Sequence, residues 1–286
     1  MDGQKERTPQ NDFAERNDST NSIVASQGMT SRIEQVLSRP NSNETPEQQR
    51  SVQREFIQLQ IIFAHQAARV CRDPFEKSLL TYTTLYRQFG LPLDANKELD
   101  NQNVQWKEFL LHVDSDEKLC TAALGILDGE AAKEKMSQCF SYTVEDEVVN
   151  IHFTNNDPYE KGPLSDERLE IRKAELKSLF SEIHGKFPQA KNVRGISWLY
   201  SMANYRRLFP PSYTDKMGTP RPDVTSKSIW GQFFNRAGGL RRDRAQEFLK
   251  KVEKAENEED LLDSFPLRGF SAGCSIQDFY SFYSIA

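Results

Sequence analysis

The stretch Val148–Thr154, VVNIHFT, changes the hydrophobic period of the chain. Val149, Ile151 and Phe153 alternate with Val148, Asn150, His152 and Thr154, which gives an extended segment one apolar and one polar face. The next apolar series, Leu169, Leu176, Leu179, Phe180 and Ile183, has helical spacing and predicts a helix from Asp166 to about His184. Ser165 is placed to cap that helix, Asp166 and Glu167 suit the positive end of its dipole, and Gly185 is expected to end it. A second strand fits Asn192–Leu199. Strand, long helix, strand requires a right-handed crossover between parallel strands, and this unit limits the possible folds more than any other feature of the sequence.

Upstream of it the period is helical. Phe56, Leu59, Phe63 and Val70 mark one helix over Ser51–Cys71, and Leu79, Tyr82, Leu85, Tyr86 and Phe89 a second over Phe75–Phe89, closed by Gly90 and Pro92. Shorter helices are expected around Trp106–Val113, Glu117–Leu127 and Ala131–Cys139. The first 49 residues have little to bury: only ten of the apolar set fall within residues 1–50. A disordered tail is therefore expected, with a short helix at Ser31–Leu37. Downstream, Ser226–Phe234 reads as a strand or short helix, Arg241–Lys254 as an amphipathic helix, and the aromatic C-terminus as a last ordered element. The expected fold class is α+β: tail 1–49, helical domain 50–140, then a mixed α/β domain over 141–286.

Charge and cysteine usage exclude several functions. With 37 basic against 42 acidic residues the net charge is -5, so bulk neutralisation of phosphates is unavailable and no nucleic-acid partner is expected. The apolar run Ala122–Leu127 is too short to span a bilayer, and Met1–Arg7 leads into polar sequence, so no membrane association and a cytoplasmic location are expected. Cys71, Cys120, Cys139 and Cys274 are widely spaced, with no metal-ligand pattern, and no metal is expected.

The segment Ile196–Tyr213, ISWLYSMANYRRLFPPSY, is the end of the second strand, a corner and a short helix over Ser201–Phe209 stopped by Pro210 and Pro211. Met202, Tyr205, Leu208 and Phe209 lie at spacings of three and four, so packing competes with binding as the reason for these aromatics. Taken together, Ile151-His152, Gly162-Pro163-Leu164, Phe187-Pro188 and Ser197-Trp198-Leu199 resemble, in this order, the C-terminal half of bacterial GNAT-like acyltransferases. The chain is also similar to an uncharacterised bacterial family with S-W-L-Y, Y-R-R-L-F-P and W-G-Q-F. The resemblance covers roughly Glu147–Phe234.

What the resemblance implies is a GNAT-like α/β domain that transfers an acyl group from acyl-CoA to an unknown small-molecule or peptide acceptor. Tyr205, in a partial match to Y-x-x-L-G-F, becomes the candidate general acid; His152, from its own place on the less apolar face of the first strand, is a candidate base. Ser197, Trp198, Tyr200, Arg206, Arg207 and Trp230 become candidate substrate-binding residues. GNAT enzymes hold pyrophosphate on a Q/R-x-x-G-x-G/A loop. Here Asn155–Glu167 offers Gly162 alone and sets Asp157, Glu160, Asp166 and Glu167 against Lys161, so the loop is expected to repel a phosphate. The competing expectation is a non-catalytic interaction or effector protein that keeps the fold. Parting of the two parallel strands near Asn155 and Ser197 favours the enzyme; continuous pairing favours the interaction protein.

Overall fold

Pro46–Gln49, expected to belong to the tail, form the first turn of the 26-residue helix α1 (Pro46–Cys71). The computed structural model describes residues 46–129, 138–157, 159, 161–219, 222–235 and 238–285. The rest of the expected tail, its short helix, and all but the end of the helix expected over Ala131–Cys139 lie outside these residues. The described residues form one compact unit.

Helix α1 is buried almost all round rather than along one stripe, since Phe56, Ile57, Leu59, Ile61, Ile62, Phe63, Ala64 and Ala67 are each buried. Its Ile57, Ile61 and Ala64 join a core made with α2 (Phe75–Tyr82), α3 (Leu85–Gln88), α4 (Val104–Leu110) and α5 (Asp116–Gly129). The helix expected over Phe75–Phe89 breaks between α2 and α3. Gln60 Oε1, wholly buried on α1, accepts from both the backbone N–H (2.7 Å) and the hydroxyl (2.8 Å) of Thr84. Thr83 turns extended and its hydroxyl donates to Leu79 O, so the threonine pair diverts the helical ladder into side-chain bonds.

The strand β1 (Phe140–Glu145) was not anticipated; Phe140, Tyr142 and Val144 supply its apolar face. A two-residue turn, with Asp146 at φ 55°, joins it to β2 (Val148–Phe153). A 3-10 turn at Asp166–Arg168 precedes α6 (Leu169–Lys186), which runs past Gly185, and Ser165 makes no side-chain cap bond. Next come β3 (Asn192–Ser197), a 3-10 turn (Trp198–Ser201), α7 (Ala203–Arg206) and α8 (Pro211–Thr214). Pro211 therefore opens a helix at its first position instead of only closing one. The chain finishes with α9 (Lys227–Trp230), a 3-10 turn (Gly231–Phe233), α10 (Arg242–Lys254), α11 (Glu258–Leu262), β4 (Phe270–Ser275) and α12 (Ile276–Tyr283).

The sheet order is β1-β2-β3-β4, with β2 and β3 parallel across the α6 crossover and the outer pairs antiparallel. Val149, Ile151 and Val193 face a core shared with Leu176, Phe180 and Ile183 of α6 and Phe279 and Tyr283 of α12. The opposite face is polar and open, carrying exposed Thr143, His152 and Arg194 and an Ile196 that is 56% exposed.

The helical half is not closed at residue 140. Phe56 and Phe63 of α1 make edge contacts with Trp230, and Phe63 also packs on Phe248 and Phe265. Residues 227–265 thus cross back to cover α1. Among the described residues, no helix is long and apolar enough to cross a membrane.

Candidate functional site

The two parallel strands part. Pairing between β2 and β3 covers only Val148–Asn150 against Asn192–Arg194. Beyond that point β2 stays paired with β1 as far as Phe153, and β3 with β4 as far as Ser197. The alternation of the ladders shows what faces the gap. Thr154 N–H donates to Cys139 O, so even-numbered residues of β2 address β1 and Phe153 turns its N–H and C=O toward β3. Ile276 N–H donates to Lys191 O, so odd-numbered residues of β3 address β4 and Ile196 turns its polar groups toward β2. The result is a notch, open at its C-terminal end, with a strand edge on each side.

The inner side of the notch is filled by aromatic side chains. Phe153, the last residue of β2, meets Tyr205 edge-on at 5.7 Å between ring centroids, and Tyr205 also stacks on Phe140 and touches Tyr200. Tyr200 and Tyr213 share a hydroxyl–hydroxyl bond of 2.8 Å. Burial raises all three phenols well above the ordinary tyrosine range, so each is protonated at rest. Their tips fit because Gly195 has no side chain: a Cβ there would lie 2.2 Å from the Tyr200 hydroxyl and 2.5 Å from that of Tyr213. An isolated glycine inside a strand is the signal that could have found this contact. Tyr213, Gly195 and Phe153 are the residues that sequence reasoning missed.

The residues expected to bind substrate are only partly gathered here. Tyr205, the candidate acid, and Tyr200 are core residues, 2% and 1% exposed. Ser197 Oγ caps the 3-10 turn by accepting the Leu199 N–H at 3.1 Å, and Trp198 packs half-buried near Gly231. Arg206 holds the Tyr200 carbonyl at 2.7 Å, a structural bond that fixes the corner. The Trp230 side chain belongs to another cluster. It is buried in the α1 aromatic cluster, donates to Val224 O at 2.7 Å, and borders a different groove of about 580 Å³ together with Phe56 and Phe234. His152 lies on the open face of the sheet beside the notch, its Nε2 3.1 Å from the Thr143 hydroxyl.

The loop between β2 and α6 turns its charges on itself. Arg172, only 4% exposed, bonds Asp157 at 3.2 Å and Glu175 at 3.0 Å, and Arg168 pairs with the same Asp157 while lying over the Tyr159 ring at 4.3 Å. Lys161 pairs with Glu167, and Arg207, expected to meet substrate, pairs with Asp166 at 2.5 Å. The expectation of four carboxylates set against Lys161 alone is thereby corrected: each described carboxylate of the loop has its own cation, and Glu160 is outside the described residues. The hydrogen bond from Lys161 pulls the Glu167 carboxyl down to about 2, whereas burial raises that of Glu175. Backbone donors are used in the same way. The N–H groups of Asn156, Tyr159, Gly162, Ser165 and Arg168 all bond to acceptors within residues 154–165. Gly162, at φ 89°, gives its N–H to Tyr159 O. These five amides are therefore not free to hold a pyrophosphate such as that of CoA.

Comparison with protein-family models, with curated proteins and with solved structures finds no match.

Proposed function

We propose that the α/β half is an acyl-transfer module of the GNAT kind, moving an acyl group from a thioester to a small-molecule or peptide acceptor. The observation that carries this reading is the early end of β2–β3 pairing, which leaves two strand edges able to hydrogen-bond an extended thioester arm. In the step so assigned, the acceptor nucleophile bonds to the acyl carbon and the carbon–sulfur bond breaks. The leaving thiolate takes a proton from Tyr205, on the inner side of the notch, and His152, on the outer side, accepts the proton of the attacking group.

Release of free thiol from an acetyl thioester in the presence of an amine panel tests the assignment. Tyr205→Phe is expected to lower turnover at least tenfold while KM stays within about twofold, because the lost interaction forms only as sulfur gains charge. Unchanged turnover removes Tyr205 from the mechanism, and absence of thiol release with every acceptor rejects the enzyme. One observation favours the second reading, a non-catalytic interaction protein that retains the fold: the Tyr205 side chain is enclosed, at 2% exposure.

A further inference from the structure

We infer that the acyl donor is recognised through its pantetheine-type arm alone, so that the donor class is an acyl thioester with no requirement for a nucleotide diphosphate. This inference rests on the acyl-transfer reading and adds to it the part of the donor that the protein ignores. A donor arm lying along Phe153 would leave the notch at the end of β2, where the chain enters the loop Thr154–Ser165. Anything attached to the far end of the arm therefore meets that loop and the start of α6.

Three observations on the described residues of the loop count against a diphosphate site there. Its cations are already matched: Lys161 by Glu167, Arg168 and Arg172 by Asp157, and Arg207 by Asp166. Its amides at Asn156, Tyr159, Gly162, Ser165 and Arg168 donate to neighbouring acceptors and do not converge on a common point. The donors left without a hydrogen bond, Nε and Nη1 of Arg172, Nε of Arg168 and the Ser165 hydroxyl, offer no alternative, because all four atoms are sealed from solvent. At the mouth the exposed charges are paired ones, Asp166 with Arg207 and Glu167 with Lys161, so an arriving diphosphate meets no uncompensated cation there. Charge-assisted bonds from two or three free amides or cations would give a diphosphate-bearing donor an advantage on the order of a hundredfold. With those donors engaged, the advantage is absent.

The test is to measure binding by calorimetry, and turnover by thiol release, for S-acetylpantetheine and acetyl-CoA with the full-length chain. Affinities and kcat/KM values within about threefold of one another are expected, and millimolar inorganic pyrophosphate is expected to displace neither. A preference for acetyl-CoA of tenfold or more overturns the inference while leaving the acyl-transfer reading intact. Failure of both donors to bind at millimolar concentration overturns the inference together with that reading.

Discussion

Gly195→Ala is expected to destabilise the protein by about 3–4 kcal/mol, measured as a lower midpoint in denaturant unfolding with an unchanged slope. The added methyl group would stand 2.2 Å from one tyrosine hydroxyl and 2.5 Å from another. Neither ring has room to withdraw. Tyr200 and Tyr213 are 1% and 0% exposed, and both pack against Phe209, while Tyr213 also abuts Phe279. Overpacking of such a site costs about 1–3 kcal/mol, and separating the buried hydroxyl pair adds about 1–3. Tyr200→Phe removes the nearer obstacle. Combined with Gly195→Ala it is therefore expected to recover part of the loss, so that the double variant is more stable than the sum of the two single changes implies. Strict additivity would mean that the strand, not the hydroxyl, takes up the strain, and a loss below about 1 kcal/mol would contradict the close approach altogether.

Arg172→Met is expected to cost about 3–5 kcal/mol, because it keeps the aliphatic stem but takes from buried Glu175 its cation and leaves buried Asp157 with Arg168 alone. Asp157 and Glu175 have side chains 6% and 14% exposed, and the arginine between them is 4% exposed. Burial already raises Glu175 above its ordinary value of 4.5. A carboxyl whose folded value is raised binds its proton more tightly in the native state, so its contribution favours folding at acid pH and is lost as pH rises through the folded value. The deficit of the Arg172→Met protein is accordingly expected to be small near pH 4 and full at neutral pH. Adding Asp157→Asn and Glu175→Gln is expected to restore most of the stability at pH 7, since no buried charge then remains. A deficit independent of pH would show that packing of the arginine, not its charge, supports the loop.

The crossover unit was legible because its pattern is local: β2 alternates, α6 repeats at helical spacing, and β3 follows within reach. Its boundaries were less so. Helix α6 continues past Gly185, since a glycine permits a stop without requiring one, and Pro211 starts a turn because its missing N–H costs nothing at a first helical position. The break after Tyr82 depends on Gln60, a buried partner 24 residues away, and no local propensity reveals it. The same holds for the return of residues 227–265 onto α1, where the aromatic residues were visible but not their pairing.

Tyr205 was singled out as a candidate by motif, yet its enclosure comes from Phe140, Phe153 and Tyr200, two of which belong to strands paired with one another. Counting charges along Asn155–Glu167 also misjudged the loop. Three of the cations that neutralise it, Arg168, Arg172 and Arg207, lie beyond the counted stretch, and Arg207 is 41 residues from its partner Asp166.

The most direct test of the notch is an amide titration of the isotopically labelled protein with S-acetylpantetheine. The Phe153 and Ile196 amide resonances are expected to move and saturate together, while those of Val149 and Val193, in the paired part of the sheet, stay in place. Resonances of Phe153 and Ile196 that remain fixed at millimolar ligand, or shifts centred instead on the groove of Phe56 and Trp230, would contradict the account.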